Sequence, residues 1–384
     1  MKAWPDPEAA LDLLRRIIRT PSPTRNEAKV RELLHDELQA LGLKPRLVGA
    51  NLLCEISRGG RQRAEASGRT PAPMYARAGG GQCLMFNTHM DTVPAARGYT
   101  RDPFGAEIDD GKVWGLGSND AGGSIVSMIA AMIELQQRND WQGTLQLALV
   151  VEEEVNGPNG TDALLKEIGM PDAAVVGEPT ALNICVAQKG MLIIDCVNTG
   201  VSCHAANAWR VEHRNAILEA LPDIRTVSEL KMREQDPFLG PTTFNVTTIA
   251  GGTATNSIPD RCEWAVDVRV NPAHSLQDAL RAVQGAIKAE VKARSIRLHP
   301  FKTAPEEVIV QAAISARPAA KVFGSDTMSD AVFLRSIPVI KAGPGITEMS
   351  HKPDEYLETR WIEQGISFYR ETALRYFAMT SGRE

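Results

Sequence analysis

The chain has 384 residues, of which 43% are hydrophobic and 23% charged, and 42 basic against 47 acidic side chains leave a net charge of -5. That length allows two domains with a large core, and the composition is that of an ordinary soluble globular protein. The near balance of charge excludes the basic footprint of a nucleic-acid binder and gives no attraction to an anionic membrane, so small molecules are the expected partners.

The first residues, Met1 to Pro7, contain no apolar targeting core, and nowhere do eighteen apolar residues run together. Neither export nor a membrane span is expected. Six cysteines (Cys54, Cys83, Cys185, Cys196, Cys203, Cys262) lie scattered without Cys-x-x-Cys spacing, which predicts reduced thiols in a cytoplasmic protein.

Taken in order, residues 7–19 and 25–41 carry apolar positions at helical spacing, and Thr20-Pro-Ser-Pro-Thr24 breaks the pattern between them. The segment 44–56 reads as a strand. Residues 58–82, rich in glycine, arginine, alanine and proline, read as a long exposed loop between two sheet strands.

Leu84 to Pro94 is an apolar run that ends in His89-x-Asp91. Extended backbone repeats every second position, so the histidine and the aspartate emerge on one side of a strand end. Imidazole ligates zinc well, and a neighbouring carboxylate accepts its other N–H. Alone, such a pair is more commonly a histidine satisfied by its neighbour.

Further on, Asp120 precedes an apolar helix predicted from Ser124 to about Gln137, among glycines that permit tight backbone. Gly115-Leu-Gly117 fails as a dinucleotide fingerprint, because its third glycine is replaced by Asp120. Thr144 to Val151 is a second buried strand that ends in Glu152-Glu153-Glu154, and Ala173 to Gly177 is a third, ending in Glu178. Ligands of open α/β sheets bind outside such carboxyl ends. Three strands ending in metal-competent residues therefore predict a shared site.

From residue 188 to 297 the pattern becomes β-α-β-β-α-β: strands 191–198, 242–249, 262–270 and 296–300, with helices 215–224 and 275–293. This reads as an inserted domain between catalytic segments 1–187 and 298–384. The last segment carries Gly343-Pro-Gly345, then His351 and Asp354-Glu355, and closes with a helix from about Thr359 to Phe377. Ser329-Asp330 is a weaker pocket candidate. His35, His274 and His299 have no partners in the pattern and read as structural.

The ordered set His89-x-Asp91, Asp120-Ala-Gly-Gly, Glu153-Glu154, Gly177-Glu178-Pro-Thr, His204, Asn256, Arg269, Gly343-Pro-Gly345 and His351-x-x-Asp-Glu355 resembles the co-catalytic zinc deacylases and exopeptidases. That family includes acetylornithine deacetylase, succinyl-diaminopimelate desuccinylase and carboxypeptidase G. The resemblance spans the chain from its first helix to its last. Gly115 to Gly122, Leu221-Pro-Asp-Ile and Val291-Lys-Ala-Arg-Ser look most like the acetylornithine deacetylase branch.

The resemblance implies an α/β catalytic domain, with helices on both faces of a mixed sheet, interrupted by an α+β lid and dimerisation domain. It implies two zinc ions bridged by Asp120, one also held by His89 and Glu178, the other by Glu154 and His351. Cobalt or manganese also suits such ligands. Asp91 would orient His89, and a cis peptide is expected after Asp120. Glu153 would be the general base, although a register one residue off exchanges its role with that of Glu154. His204 would stabilise the oxyanion, and Asn256, Arg269, Gly343 and Gly345 would bind substrate. The loop after His204, from Asn207 to Arg214, is a residue or two longer than the family's. The expected reaction is metal-dependent hydrolysis of an N-acyl amino acid, foremost N-acetylornithine, by a homodimer; N-acetylcitrulline, N-succinyl analogues and dipeptides are the alternatives. A cysteine hydrolase built on Cys203 is disfavoured, because adjacent residues in a strand point apart.

Overall fold

Short apolar runs bounded by glycine or acid build the main sheet. Its strands include β1 (Arg46–Val48), β2 (Asn51–Arg58), β3 (Cys83–His89), β4 (Gly143–Val150), β5 (Ala173–Val176) and β6 (Ile184–Gln188), together with Val339–Lys341. In space they follow the order β1, β2, β4, β3, β5, Val339–Lys341, β6. The four central strands are parallel, while β1, β2 and β6 pair antiparallel. A parallel centre is covered on both faces and needs unbroken apolar runs, which Leu84, Met85 and Phe86 in β3 and all four residues of β5 supply.

These are the features of a computed structural model that describes residues 4–59 and 82–382. Two compact units divide the chain: Ala187–Lys302 with Gly324–Met328 form the second, and the remainder forms the first. The sequence suggests breaks at 188 and 297, one and five residues inside those borders. No helix among the described residues is long and apolar enough to cross a membrane, and the six cysteines form no disulfide.

In the first unit, α1 (Pro7–Ile18) starts under an Asp6 cap, whose carboxylate accepts the Glu8 N–H at 2.8 Å, with Pro7 in the first turn where its missing N–H costs nothing. The helix α2 (Ala28–Ala40) packs on β2. The helix α3 (Gly123–Gln137) is buried on almost every side and lies among α1, β3, β4 and the closing helix Arg360–Thr380. Tyr369 of that last helix donates to the Ala342 carbonyl at 2.9 Å and its ring lies tilted, 5.4 Å between centroids, against Phe86, tying the helix to the sheet. The segment 44–56 is a hairpin rather than one strand, because Gly49, at φ +57°, turns the chain between β1 and β2. Residues 60–81 of the expected loop lie outside the described residues.

The second unit has the strand, helix, strand, strand, helix, strand order: β7 (Gly190–Thr199), α5 (Ala216–Glu229), β8 (Thr243–Gly251), β9 (Arg261–Val270), α6 (Leu276–Ala286) and β10 (Glu290–Ala293), α4 being Thr161–Ile168 of the first unit. Its sheet runs β8, β9, β7, β10. Leu192, Ile194, Trp264, Val266 and Val268 meet Ala220, Val227 and Val283 of the helices in one core. Two expectations are corrected here. The second helix ends at Ala286 instead of 293, and the fourth strand is Glu290–Ala293 instead of 296–300. Ile287 is already extended, and the pattern from Glu290 to Ala293 alternates exposed and half-buried positions at the sheet edge.

Candidate active site

The carboxyl ends of β3, β4 and β5 lie side by side, since His89 pairs with Val150 and Asn87 with Val176. The residues that follow these ends converge. His89 Nε2 lies 3.2 Å from Asp120 Oδ1 and 3.9 Å from Glu178 Oε1. His351 Nε2 lies 2.9 Å from Glu154 Oε2 and 3.6 Å from Asp120 Oδ2. The two oxygens of Asp120 thus face different histidines. Two ligand groups result, His89 with Asp120 and Glu178, and Asp120 with Glu154 and His351, each with its donor atoms within 4.8 Å of one another.

His89 Nδ1–H donates to the backbone carbonyl of Asp91 at 2.9 Å, which leaves Nε2 as the ligand atom. The Asp91 carboxylate is farther, at 3.5 Å, and is otherwise engaged. It accepts the backbone N–H groups of Glu153 (3.1 Å) and Glu154 (3.2 Å) and the Thr24 hydroxyl (2.9 Å). Asp91 therefore holds the turn that carries the expected base as well as the imidazole. That turn needs holding: Glu152 (φ +58°) and Asn156 (φ +49°) are left-handed without being glycine, at a cost of about 1–3 kcal/mol each. The Glu152 carboxylate in turn receives the Asn159 side-chain and backbone N–H groups.

On the other side of the site Glu355, only 1% exposed, accepts the N–H groups of Gly117 (3.1 Å), Asn119 (2.9 Å) and Asp120 (3.0 Å). It cradles the irregular turn Ser118–Gly122 that presents Asp120, and the Asp120–Ala121 peptide is cis, as the resemblance implies. Asn119 ties the same turn to Ile346 through both its side-chain atoms. Gly345, at φ +87°, is required by close approach, since a Cβ there would come 2.2 Å from Asn119 Oδ1. Gly343 is equally confined by Ser124, Tyr369 and the Glu178 backbone. Close packing thus requires both glycines, which are also the expected substrate-binding positions.

Burial, and then the charge of Asp120, pushes the Glu178 carboxyl up to about 8. Burial followed by Glu178 raises Glu153 well above the carboxylate range, with Asp330 adding to the rise. Asp330 is buried and accepts the Thr161 hydroxyl at 2.7 Å. The His351 imidazole is raised to about 9 by its contact with Glu154. For His89 burial opposes the charge, but Asp120, Asp91 and the nearby glutamates outweigh it and shift the imidazole upward. Like charges about 4 Å apart oppose each other by about 4 kcal/mol at an effective dielectric constant of about 20. Two imidazoles and the partial relief that Lys341 gives Glu178 answer only part of that repulsion. Glu178 Oε1 is moreover buried without a hydrogen-bond partner. Imidazole and carboxylate donors, surplus negative charge and an orphaned oxygen fit a pair of divalent cations.

The family model described as peptidase family M20/M25/M40 matches residues 85–375. The chain belongs to that family. Members of peptidase family M20/M25/M40 are metal-dependent hydrolases of amide bonds, and this chain is an enzyme of that class. Among curated relatives, the succinyl-diaminopimelate desuccinylase of Cereibacter sphaeroides is 30% identical over 94% of this chain and 97% of its own. That of Parvibaculum lavamentivorans is 31% identical over 97% and 96%. Among solved structures, the aminopeptidase PepT of Bacillus cereus superposes with a TM-score of 0.76 at 20% identity, covering 97% of this chain and 99% of its own. The Bacillus subtilis YXEP protein, described as a dinuclear metal binding peptidase, gives 0.71 at 17%, covering 97% and 98%. These likenesses establish the shared α/β fold.

The other expected site residues lie in the second unit. His204 is exposed, opens the turn Ala205–Asn207 and accepts the Ala206 N–H at 3.2 Å. Asn256, also exposed, is its neighbour, because its carbonyl accepts the Ala205 N–H at 2.9 Å. Arg269 is half-buried and forms a two-pronged pair with Asp267, at 2.7 and 3.1 Å. The loop from Asn207 to Arg214 is exposed at its centre, with Trp209 at 83%. Sequence reasoning carried Glu355 within a motif but gave it no role, and it missed Asn119, Thr24 and Glu27. Asn119, Glu27 and Glu355 are aimed at backbone and Thr24 at the Asp91 carboxylate, contacts that side-chain pattern alone does not display.

Proposed function

We propose that this enzyme removes the acyl group from an N-acyl amino acid, and that the acyl group is succinyl. The observation that carries the hydrolytic reading is Asp120 facing His89 with one oxygen and His351 with the other, beside the desolvated carboxyl of Glu153. His89, Asp120 and Glu178 would hold one ion, and Asp120, Glu154 and His351 the other. Bound there, two divalent cations, zinc foremost, supply Lewis acidity toward the acyl carbonyl and lower the pKa of water.

Within this reading Glu153 takes a proton from the attacking water as the new C–O bond forms. It returns that proton to the nitrogen as the C–N bond breaks, releasing carboxylate and free amine. Asp91 and Glu355 keep the reacting groups in place. His204 donates a hydrogen bond to the oxyanion. Asn256 joins it, and Arg269 exchanges Asp267 for a substrate carboxylate, for which a guanidinium fork is suited. The second unit serves as lid and dimer contact. Its outer strand β8 and the exposed Leu218, Leu221 and Ile249 support a surface for a second copy. Thiol cysteines support a reducing compartment.

The names of the curated relatives favour succinyl. The stretches Gly115 to Gly122, Leu221 to Ile224 and Val291 to Ser295 favour acetylornithine as a second reading. Chelator-stripped protein, with and without zinc, is to be assayed on N-succinyl-diaminopimelate, N-acetylornithine, N-acetylcitrulline and a dipeptide. Zinc-dependent turnover highest on the succinyl substrate, reduced by about 10²–10⁴-fold in Glu153→Ala, is expected. Faster turnover of N-acetylornithine would transfer the assignment to the second reading, and turnover without metal would overturn the mechanism.

A further inference from the structure

We propose that Thr24 and Glu27, in the connection between α1 and α2, are positioning residues that fix the turn carrying Glu153. The proposal deepens the deacylase reading and rests on it. The turn from Glu152 to Asn156 enters and leaves through left-handed residues that are not glycine. Its own conformational preference does not hold it there, so outside contacts must.

The α1–α2 connection supplies them. Glu27, 6% exposed, accepts two backbone N–H groups on the single oxygen Oε1, from Arg25 at 2.7 Å and from Glu152 at 3.3 Å. The Thr24 hydroxyl donates at 2.9 Å to Asp91 Oδ2, the oxygen that also receives the Glu154 N–H at 3.2 Å. The connection is itself fastened beyond the end of β3. Thr24 N–H donates to the Thr92 carbonyl at 3.1 Å, and Thr92 N–H to the Ser22 carbonyl at 2.9 Å. Arg25, left-handed at φ +71°, bends the chain between the two contacts, and its guanidinium lies 3.9 Å from Glu152 Oε1.

One contact therefore reaches the residue before Glu153 and the other the carboxylate that grips Glu153 and Glu154. Neither Thr24 nor Glu27 belongs to the two ligand groups. Glu154 shares the turn, but its carboxylate is also tied to His351 at 2.9 Å and would be held by the ion, so loosening the pair chiefly lets the Glu153 carboxylate wander, and a displacement of about 1 Å far from the chemistry costs about 10²-fold in rate.

The test uses the zinc-loaded full chain and two readouts. Hydrogen exchange at the amides of Glu152, Glu153 and Glu154 should accelerate about tenfold or more in Thr24→Val and in Glu27→Ala, with exchange in β4 unchanged. In the same variants kcat should fall about 10–100-fold with KM and zinc content near wild type. Thr24→Ser keeps the donor and Glu27→Gln keeps an acceptor oxygen, so each should restore both readouts. Should Glu27→Ala not fold, Glu27→Asp, which withdraws the carboxylate by one methylene, carries the same expectation. Unchanged exchange, or loss spread through the first unit with lost zinc and no rescue, overturns the proposal. If the wild type turns over no acyl substrate, the deacylase reading falls while the exchange data still decide on the clamp.

Discussion

Asp91 and Glu355, in the first unit, commit their carboxylates to backbone N–H groups that lie 62 and 63, and 235 to 238, residues away in the chain. Arg269 and His204, in the second unit, engage Asp267 and Ala206, each two residues away. The long-range contacts, buried at Glu355 and part-buried at Asp91, can form only when the whole unit has folded, so they preorganise the groups they hold. The local pairs are exposed or half-exposed, and a substrate can replace them at small cost, since an exposed ion pair contributes about 0–1 kcal/mol. On the proposed reading, one unit carries a fixed reaction centre and the other carries exchangeable binding groups.

The sharpest way to break that contrast is His204→Ala. An oxyanion donor supplied by the second unit predicts a loss of about 10²–10³-fold in kcat, with two ions still bound. A loss below tenfold would leave His204 as a surface histidine. Next in size is Glu355→Gln, whose amide places a donor against three N–H groups. Metal affinity should fall about 10–100-fold, as for outer ligands that orient inner ones, when measured by competition with a chromophoric chelator.

The smallest effect is on stability. Glu178 and Glu355 are raised from an ordinary 4.5 to about 8, and His351 from 6.5 to about 9. In each case the folded state binds the proton more tightly than the unfolded state, so the stabilisation is present at low pH and is lost as pH rises through the folded value. Metal-stripped protein should lose several degrees in Tm between pH 6 and pH 9, and saturating zinc should abolish that fall because the ion replaces the protons. A Tm that rises with pH in the stripped protein would contradict the crowding of charge around Asp120.

Much of this was legible in the sequence. Strands β3, β4 and β5 announce themselves as apolar runs, and the residues after them gather because parallel strands bring their carboxyl ends to one edge. The position of Asp120 between His89 and His351 follows from that placement and the family pattern. The support of the site was less legible. Asp91 is expected to orient His89; its carbonyl makes the closer contact, at 2.9 Å, its carboxylate lies 3.5 Å away, and that same carboxylate also serves the Glu153 turn. Glu355 and Glu27 act on backbone N–H groups and Thr24 acts through the Asp91 carboxylate, and backbone geometry leaves no residue pattern. In the second unit, Glu290 to Ala293 is too short for period-two alternation to stand out from the helical pattern before it. The hairpin at Gly49 was hidden because Arg46 to Ile56 reads as one run.

On this reading Asp120 would join the two ligand groups into one dinuclear centre. Calorimetric titration of zinc into the chelator-stripped chain tests it most directly. Two ions per chain are expected, with one lost in Glu178→Gln, the other lost in His351→Ala, and both weakened together in Asp120→Asn. A single ion in the wild type, or two ions retained at full affinity in Asp120→Asn, would contradict the account.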